Sequence, residues 1–371
     1  MKVLALEPYY GGSHRAFLDG WTSRSRHAWT VLTLPASNWK WRMRHAAVTF
    51  ARKLSGKRYS RRNWDVLLCS DMLNLAEFLG LAPVRAKLPA VAYFHESQLT
   101  YPTRNEQARD LHFAVTNMTT ALAAKAVWFN SAFHRDSFLN ALAGVLEAMP
   151  DNQPRWAPET IRAKSRVYPQ GIDPFPPRGP RRPGPIRICW AARWEHDKGP
   201  EEFFEAVGIL ASRGVDFRLS VLGQHFSEAP PVFDEAREQF AEHIDYWGYQ
   251  PDRQGYRAVL QDADVFVATA IHEFFGVSAA EAISAGAYPL LPKRLAYPEL
   301  IQLGDHPERR EFLYEGGAKE LAGKLVTLAE RLCDGGLWGG QGNELAKGAA
   351  GFAWDRLAGE LDDALAAAVT S

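Results

Sequence analysis

The sequence predicts an α/β chain of two Rossmann-like, doubly wound domains. Three observations predict it. Short, almost continuous apolar runs alternate with stretches of helical periodicity. The alternation breaks at the proline- and glycine-rich "PFPPRGPRRPGP", Pro174 to Pro185, and then restarts. The 371 residues are enough for two cores at about 100–200 residues per domain.

The strand candidates of the first half are "VLALE", "WTVLTL", "DVLLCSD", "AVAYFHE" and "AVWFNS". Helical stretches such as "NEQARDLHFAVTNMTTALAA" and "AFHRDSFLNALAGVLEAM" follow. Strands that are apolar throughout are covered on both faces, which implies a parallel sheet between helices. After the proline-rich stretch come "IRICWAAR", "EEFFEAVGILASR", "FRLSVLG", "IDYWGY", "ADVFVATA", a helix from about Val277, "AYPLLPK", and a last helix in "FAWDRLAGELDDALAAAVTS". The expected domains are therefore residues 1–173, a linker at 174–185, residues 186–350, and a terminal helix, 351–371, packing back towards the first domain. Ligands of such sheets bind beyond the carboxyl ends of the strands. The expected site is the cleft where the two domains face each other.

Composition excludes more than it indicates. Formal net charge is zero, so the overall balance names no partner. Cys69, Cys189 and Cys333 are far apart and form no C-x-x-C. That argues against a disulfide framework and a zinc site, and fits a reducing cytosol. No apolar run approaches the roughly 20 residues of a membrane span. "MKVLALEPYYGG" has no small-residue cleavage site and reads as a first strand, not a signal peptide. A cytoplasmic protein without membrane insertion is expected.

Several motifs carry chemistry. In "EFFGVSAAEAISAG", Glu273 and Glu281 flank Phe275, Gly276 and Val277. Ser278 with Glu281 could be an ordinary capping box. The same helix start offers free N–H groups and a positive dipole end to a diphosphate, and a carboxylate suits a vicinal diol. In "RWEHDKG", Arg193 and Lys198 lie between a buried strand and a helix, so both can point into the cleft. Fixed cations there stabilise a departing diphosphate without a metal, and no metal or other cofactor is expected. "DAD", Asp262 to Asp264, leads straight into a strand and reads as a strand start. "YYGGSH" follows the first strand. Ser13 would cap a helix, Gly11 and Gly12 would let a phosphate or sugar approach, and His14 is a candidate contact. No nicotinamide-type G-x-G-x-x-G occurs. His95 closes the strand "AVAYF", with Glu96, Gln98 and Tyr101 behind it on the acceptor side.

Charge is also unevenly distributed. No acid occurs between Asp19 and Asp65, while Arg24, Arg26, Lys40, Arg42, Arg44, Arg52, Lys53, Lys57, Arg58, Arg61 and Arg62 do. Such a run is commonly a solvated face, but it also makes the local positive field that a phosphate backbone requires. Trp39 and Trp41, interleaved with it, could stack an extruded base. An anionic membrane is the competing partner, although no basic amphipathic helix is evident.

"YPQGID", "AARWEHDKG", "ADVFVATA" and "EFFGVSAAEAISAG" occur in the order found in retaining GT-B glycosyltransferases of the GT4 type, which the second half resembles. Gln170 stands where that group usually has Asn. "EPYYGGSHRAF", "WKWRMRHAA", "YFHESQLTYP" and "FNSAFHRDSFL" resemble the tRNA-queuosine mannosyltransferases. These move mannose from GDP-mannose to the cyclopentenediol of queuosine at a tRNA anticodon. The resemblance implies a nucleotide-sugar donor and queuosine-containing tRNA as acceptor. It implies that Glu281 binds the ribose hydroxyls, that Glu273 and His95 touch the donor sugar, and that Arg193 and Lys198 hold the diphosphate. The acceptor's proton is left to the β-phosphate oxygen, with no single side chain as base. Three rivals remain: the same chemistry on a lipid or small-molecule acceptor, a catalytically silent RNA-binding protein, and an epimerase of similar fold.

Overall fold

The computed structural model describes residues 1–100, 110–225, 229–338 and 344–370. The chain divides into two compact units, Met1–Gly171 with Trp354–Ser371, and Ile172–Ala353.

In the first unit the elements are β1 (Lys2–Tyr10), α1 (Gly12–Thr22), β2 (Ala28–Pro35), α2 (Trp39–Ser55), β3 (Val66–Ser70), α3 (Leu75–Leu81), β4 (Ala90–Phe94), α4 (Leu111–Ala123), β5 (Ala126–Phe129), α5 (Ala132–Glu147), α6 (Ala157–Ala163) and β6 (Ser165–Val167). Every pairing is parallel, in the order β2-β1-β3-β4-β5-β6. The central strands "VLLCS" and "AVAYF" are buried at every residue, so helices must cover both faces. Helix α2 does so with Met43, Ala46, Ala47, Phe50 and Leu54, a helical stripe. Side chains supply the caps: Asn74 accepts the Glu77 N–H, and Ser131 the His134 N–H.

The second unit runs β7 (Ile186–Ala191), α7 (Pro200–Ser212), β8 (Phe217–Leu222), α8 (Val232–Gln239), β9 (Ile244–Gly248), α9 (Arg253–Asp262), β10 (Val265–Val267), α10 (Val277–Ser284), β11 (Tyr288–Pro292), α11 (Tyr297–Leu300), β12 (Leu313–Tyr314), α12 (Gly317–Cys333) and α13 (Glu344–Ala349). Its sheet is also parallel, ordered β12-β11-β10-β7-β8-β9. In each sheet the first strand has neighbours belonging to opposite directions of winding. That reversal is the switch point at which such sheets bind ligands.

The unit boundaries differ from those the sequence suggested. Ile172 already belongs to the second unit, because its N–H donates to the Phe352 carbonyl (2.8 Å) beside a parallel bridge to Ala353. The proline-rich residues 174–185 have no helix or strand, as proline content dictates, but they are not a free linker. Arg178 and Arg181 from this stretch grip the fully buried Asp264 at 3.0 and 2.8 Å, and Arg257 lies over the Phe175 ring. That grip also accounts for the "DAD" motif, since Asp262 pairs with Arg182.

The last helix, α14 (Trp354–Thr370), packs on α1 within the first unit. It buries Trp354, Leu357, Ala358, Leu361 and Leu365. Asp362, also buried, accepts hydrogen bonds from Trp21 Nε1 (2.8 Å), Ser25 Oγ (2.6 Å) and the Arg26 N–H (2.8 Å). Replacing it leaves three donors without an acceptor. Asp362→Ala should cost about 3 kcal/mol and lower the thermal midpoint by several degrees, whereas Asp363→Ala, at an exposed site, should change it little. Equal midpoints for the two variants would contradict this role for α14.

Candidate active site

Both switch points carry polar clusters. In the first unit Glu7 lies near the carboxyl end of β1, buried in a strand that is apolar from Val3 up to that point. Its Oε1 accepts the Tyr9 N–H (2.8 Å) and the Ser70 hydroxyl (3.0 Å). Its Oε2 is 3.2 Å from Nδ1 of the buried His14, in the first turn of α1. The His14 ring lies against His95, centroids 4.0 Å apart and planes tilted by 33°. His95 follows β4 directly. Its N–H donates to Asp71 Oδ1 (2.8 Å) and its carbonyl accepts from Asn130 Nδ2 (2.9 Å).

Electrostatics separate the two imidazoles. Burial would push His14 down, but Glu7 first, and then Asp71 and Glu96, raise it to about 9. Burial pushes His95 well below the usual range, and the neighbouring His14 and His134 push it further. Asp71 is raised to about 7 by burial, against the pull of His14. Glu7, His14 and His95 bring potential ligand atoms within 4.8 Å of one another. His14 is raised beside Glu7, and a protonated imidazole has no lone pair to give a metal ion, so the cluster suits an ion pair beside a neutral imidazole better than a metal ion.

Ser13 does not cap α1. Gly11 holds the N-cap position, no side chain bonds the helix start, and Gly12 is its first residue. Gln170 is buried and donates to the Ser13 carbonyl (3.1 Å), tying the chain after β6 to this turn. Gln98 Nε2 donates to Glu96 Oε1 (3.1 Å). Tyr101 lies outside the described residues.

In the second unit the loop after β7 ends in a short 3-10 turn, His196–Lys198, closed by Gly199. Gly199 has φ +62, and a Cβ there would lie 2.4 Å from the Thr269 carbonyl oxygen, so only glycine fits. The turn directs Lys198 Nζ to the His272 carbonyl (2.9 Å), Asp197 Oδ2 (3.1 Å) and Glu273 Oε2 (3.4 Å). Glu273 Oε1 accepts the N–H groups of Phe274 (3.1 Å) and Phe275 (3.4 Å). Burial would lower Lys198, but Glu273 and Asp197 raise it. Burial would raise Glu273, but Lys198 and the Phe275 N–H lower it. Each group therefore keeps its charge because of the other.

Helix α10 starts at Val277 behind Gly276 (φ +90), with no side-chain cap. The Ser278–Glu281 capping box does not form. Glu281 turns instead to Tyr256, whose hydroxyl donates to Oε2 (2.9 Å), while Oε1 is 3.9 Å from Arg253. Phe275 is buried edge-on to Phe352. Arg193 pairs with Glu195 (3.1 Å), half-exposed, at the mouth of the loop. Sequence reading missed Glu7, Tyr256 and Asp197. Glu7 gave a faint signal, as an acid at the end of an apolar strand.

The acid-free run is less uniform than it reads. Arg24 and Arg26 are neutralised by Asp355 and Asp363 of α14. Arg42 bonds the Pro35 carbonyl and His45, and Arg44 lies over Phe113 beside Asp110. Trp39 packs on Phe113 with Met43 and Met72 at hand, so it is not a free stacking surface. Trp41 is 62% exposed. Lys40, Arg52, Lys53, Lys57, Arg58, Arg61 and Arg62 are all exposed on α2 and the turn after it. No helix among the described residues is long and apolar enough to cross a membrane.

His14 has a stability consequence. Its folded pKa, about 9, lies above the ordinary 6.5. The stabilisation is complete below the lower value and is lost as pH rises through the higher one, on the order of 3 kcal/mol in all. The difference in thermal midpoint between the wild type and His14→Gln should shrink as pH is raised from about 6.5 to about 9.5. A difference that stays constant over that range would refute the ion pair.

Known proteins resemble this chain in sequence and in fold. Residues 2–172 match the family described as tRNA-queuosine alpha-mannosyltransferase N-terminal, and residues 185–331 match glycosyl transferases group 1. A tRNA-queuosine alpha-mannosyltransferase of Drosophila melanogaster is 34% identical over 310 residues, 80% of this chain and 81% of that protein. A GDP-mannose:cellobiosyl-diphosphopolyprenol alpha-mannosyltransferase of Xanthomonas campestris is 29% identical over 45% of this chain and 44% of its own. Among solved structures, sucrose-phosphate synthase from Thermosynechococcus elongatus aligns with a TM-score of 0.70 at 14% identity, covering 99% of this chain and all of that one, a likeness of fold. With two parallel Rossmann-like sheets, and a charged cluster at the switch point of each, the chain belongs to the tRNA-queuosine alpha-mannosyltransferase family and is a glycosyltransferase of the GT-B fold.

Proposed function

We propose that this chain transfers mannose from GDP-mannose to the cyclopentenediol of queuosine in tRNA, in the cytoplasm and with retained anomeric configuration. The observation that carries the reading is the Lys198–Glu273 contact of 3.4 Å beside the glycine-capped start of α10. When the glycosidic bond of a nucleotide sugar breaks, negative charge builds on the β-phosphate. A cation already held in place, with backbone N–H groups at a helix start, stabilises that charge without reorganising. Lys198 supplies the cation, and Arg193 adds a second, more exposed one. Glu273 keeps Lys198 charged and turns a fixed carboxylate to the sugar. Tyr256 occupies one oxygen of Glu281 and leaves the other for a ribose diol.

The first unit's share rests on His95 as a contact to the donor sugar and on Gly11, Gly12 and His14 around it. No side chain is assigned as base for the acceptor hydroxyl, and the proposed chemistry uses no metal. The acceptor is inferred from the relative that acts on tRNA-queuosine and from the exposed cations of α2 and the turn after it, with Trp41 exposed on the same helix. Phosphate-backbone contacts would position the anticodon arm and Trp41 would stack a base.

Two outcomes are expected. Lys198→Ala or Glu273→Ala should lower mannosyl transfer at least about 10³-fold with circular dichroism unchanged, and a chelator should leave the wild-type rate intact; near-normal turnover by either variant contradicts the assignment. Reversing Lys53, Lys57, Arg58 and Arg61 to glutamate should weaken tRNA binding more than about tenfold at low salt and reduce the slope of log K against log salt. An unchanged titration would move the RNA to another surface.

A further inference from the structure

His95 raises a question of mechanical control. Its backbone is fixed on both sides, by Asp71 and by Asn130. Its ring is not held at Nδ1, which is buried without a hydrogen-bond partner among the described residues. The ring is therefore oriented by what packs against it. Tyr93 lies 4.7 Å away at a tilt, Phe17 meets it edge-on at 5.2 Å, and His14 lies closest, at 4.0 Å. Of these three neighbours, only His14 is itself pinned by a charged group, Glu7.

We propose that Glu7 is a positioning residue for this reaction: by binding His14 Nδ1 it holds the second imidazole against His95 and so fixes the direction of the His95 ring. The inference rests on the reading of His95 as a donor-sugar contact. Glu7 is well made for the task. Its other oxygen is occupied by Tyr9 N–H and Ser70, so the carboxylate cannot swing away from His14.

The charge pattern supports the geometry. The groups that face His14 are Glu7 on β1, Asp71 after β3, and Glu96 and His95 after β4. The three acids keep its proton, and a cation laid over His95 disfavours a second proton there. A neutral His95 offers one donor and one acceptor to a sugar hydroxyl pair, where an imidazolium offers only donors. Without Glu7, His14 would lose its proton near neutrality, and both the stack and the tautomer of His95 would loosen.

The test uses the full chain labelled with ¹⁵N-histidine. Imidazole ¹⁵N shifts are followed from about pH 6 to about pH 10 without substrate. Mannosyl transfer from GDP-mannose to queuosine-containing tRNA is then measured for wild type, Glu7→Gln, Glu7→Asp and His95→Ala. His14 should remain doubly protonated at pH 7 in the wild type and become singly protonated in Glu7→Gln. Glu7→Gln should lower kcat about tenfold or more with the donor KM within about twofold, and Glu7→Asp should recover part of the loss. A singly protonated His14 at pH 7 in the wild type, a Glu7→Gln kcat within about twofold of normal, or stoichiometric Zn²⁺ binding that displaces the proton would each overturn the proposal. Should Glu7→Gln fail to fold, the wild-type titration and Glu7→Asp still decide it. A wild-type chain that does not turn over these substrates, while His14 titrates as expected, would instead overturn the functional reading.

Discussion

Parallel strand pairing is the constraint on which the rest depends. In both sheets every strand runs the same way, so each strand hands its following loop to one edge. Helices must return the chain along both faces, and the strands between them are buried on both sides. Apolar residues therefore fill the strands, and polar chemistry is confined to their ends. Glu7, Asp71 and His95 leave three strands of one sheet at a shared edge; Lys198 and Glu273 do the same in the other. Strand order brings the loops after β1 and β3, and those after β7 and β10, next to one another. Residues more than 60 positions apart in sequence thereby come within hydrogen-bond distance, as Ser70 does with Glu7.

Charge at these edges is arranged in mutually dependent pairs. Removing charges from water is costly, and a buried pair is stable only when remaining donors and acceptors are also satisfied. Glu273 meets that demand with two backbone N–H groups and Lys198, and Lys198 adds the His272 carbonyl. Asp264 shows the same rule without function. Fully buried at the start of β10, it is surrounded by Arg178, Arg181 and the N–H of Arg187. The first is proposed to serve a site and the second anchors an irregular segment, and residue type alone does not distinguish them. What differs is position, because Asp264 lies at the amino end of its strand and Glu273 beyond the carboxyl end.

That distinction marks what could be read from the sequence. Apolar runs placed nearly every central strand, and the order of strands and helices gave the parallel class. The placement of Lys198, Glu273 and His95 in turns after strands was legible, because local sequence sets the direction there, and Glu281 was legible as a residue of the helix that follows Gly276. Tertiary partners were not legible. Glu281 looked like the second half of a capping box, but the left-handed Gly276 takes the cap position, and Tyr256, 25 residues away, takes the carboxylate. The basic run looked free of acids because Asp355 and Asp363 lie more than 300 residues downstream. Trp39 and Trp41 look alike in sequence; helical phase puts the first on Phe113 and the second outward. The short strands β6 and β12 were missed because two or three residues carry no periodicity.

Polar atoms left unsatisfied among the described residues point the same way as the charges. A buried donor or acceptor without a partner costs about 1–3 kcal/mol, so native structures retain few. Asp71 Oδ2 and His95 Nδ1 are two of them, on adjacent loops at one sheet edge. A core that needed only stability would replace either residue with an apolar one of similar size. The Asp71 Oδ1 bond to the His95 N–H and the Asn130 bond to the His95 carbonyl instead hold the Asp71 carboxylate and the His95 backbone, while these two atoms stay unbonded among the described residues. Such an arrangement favours binding over stability. The groups are already oriented and desolvated, so a ligand that bonds them gains the interaction without first ordering the residues that make it.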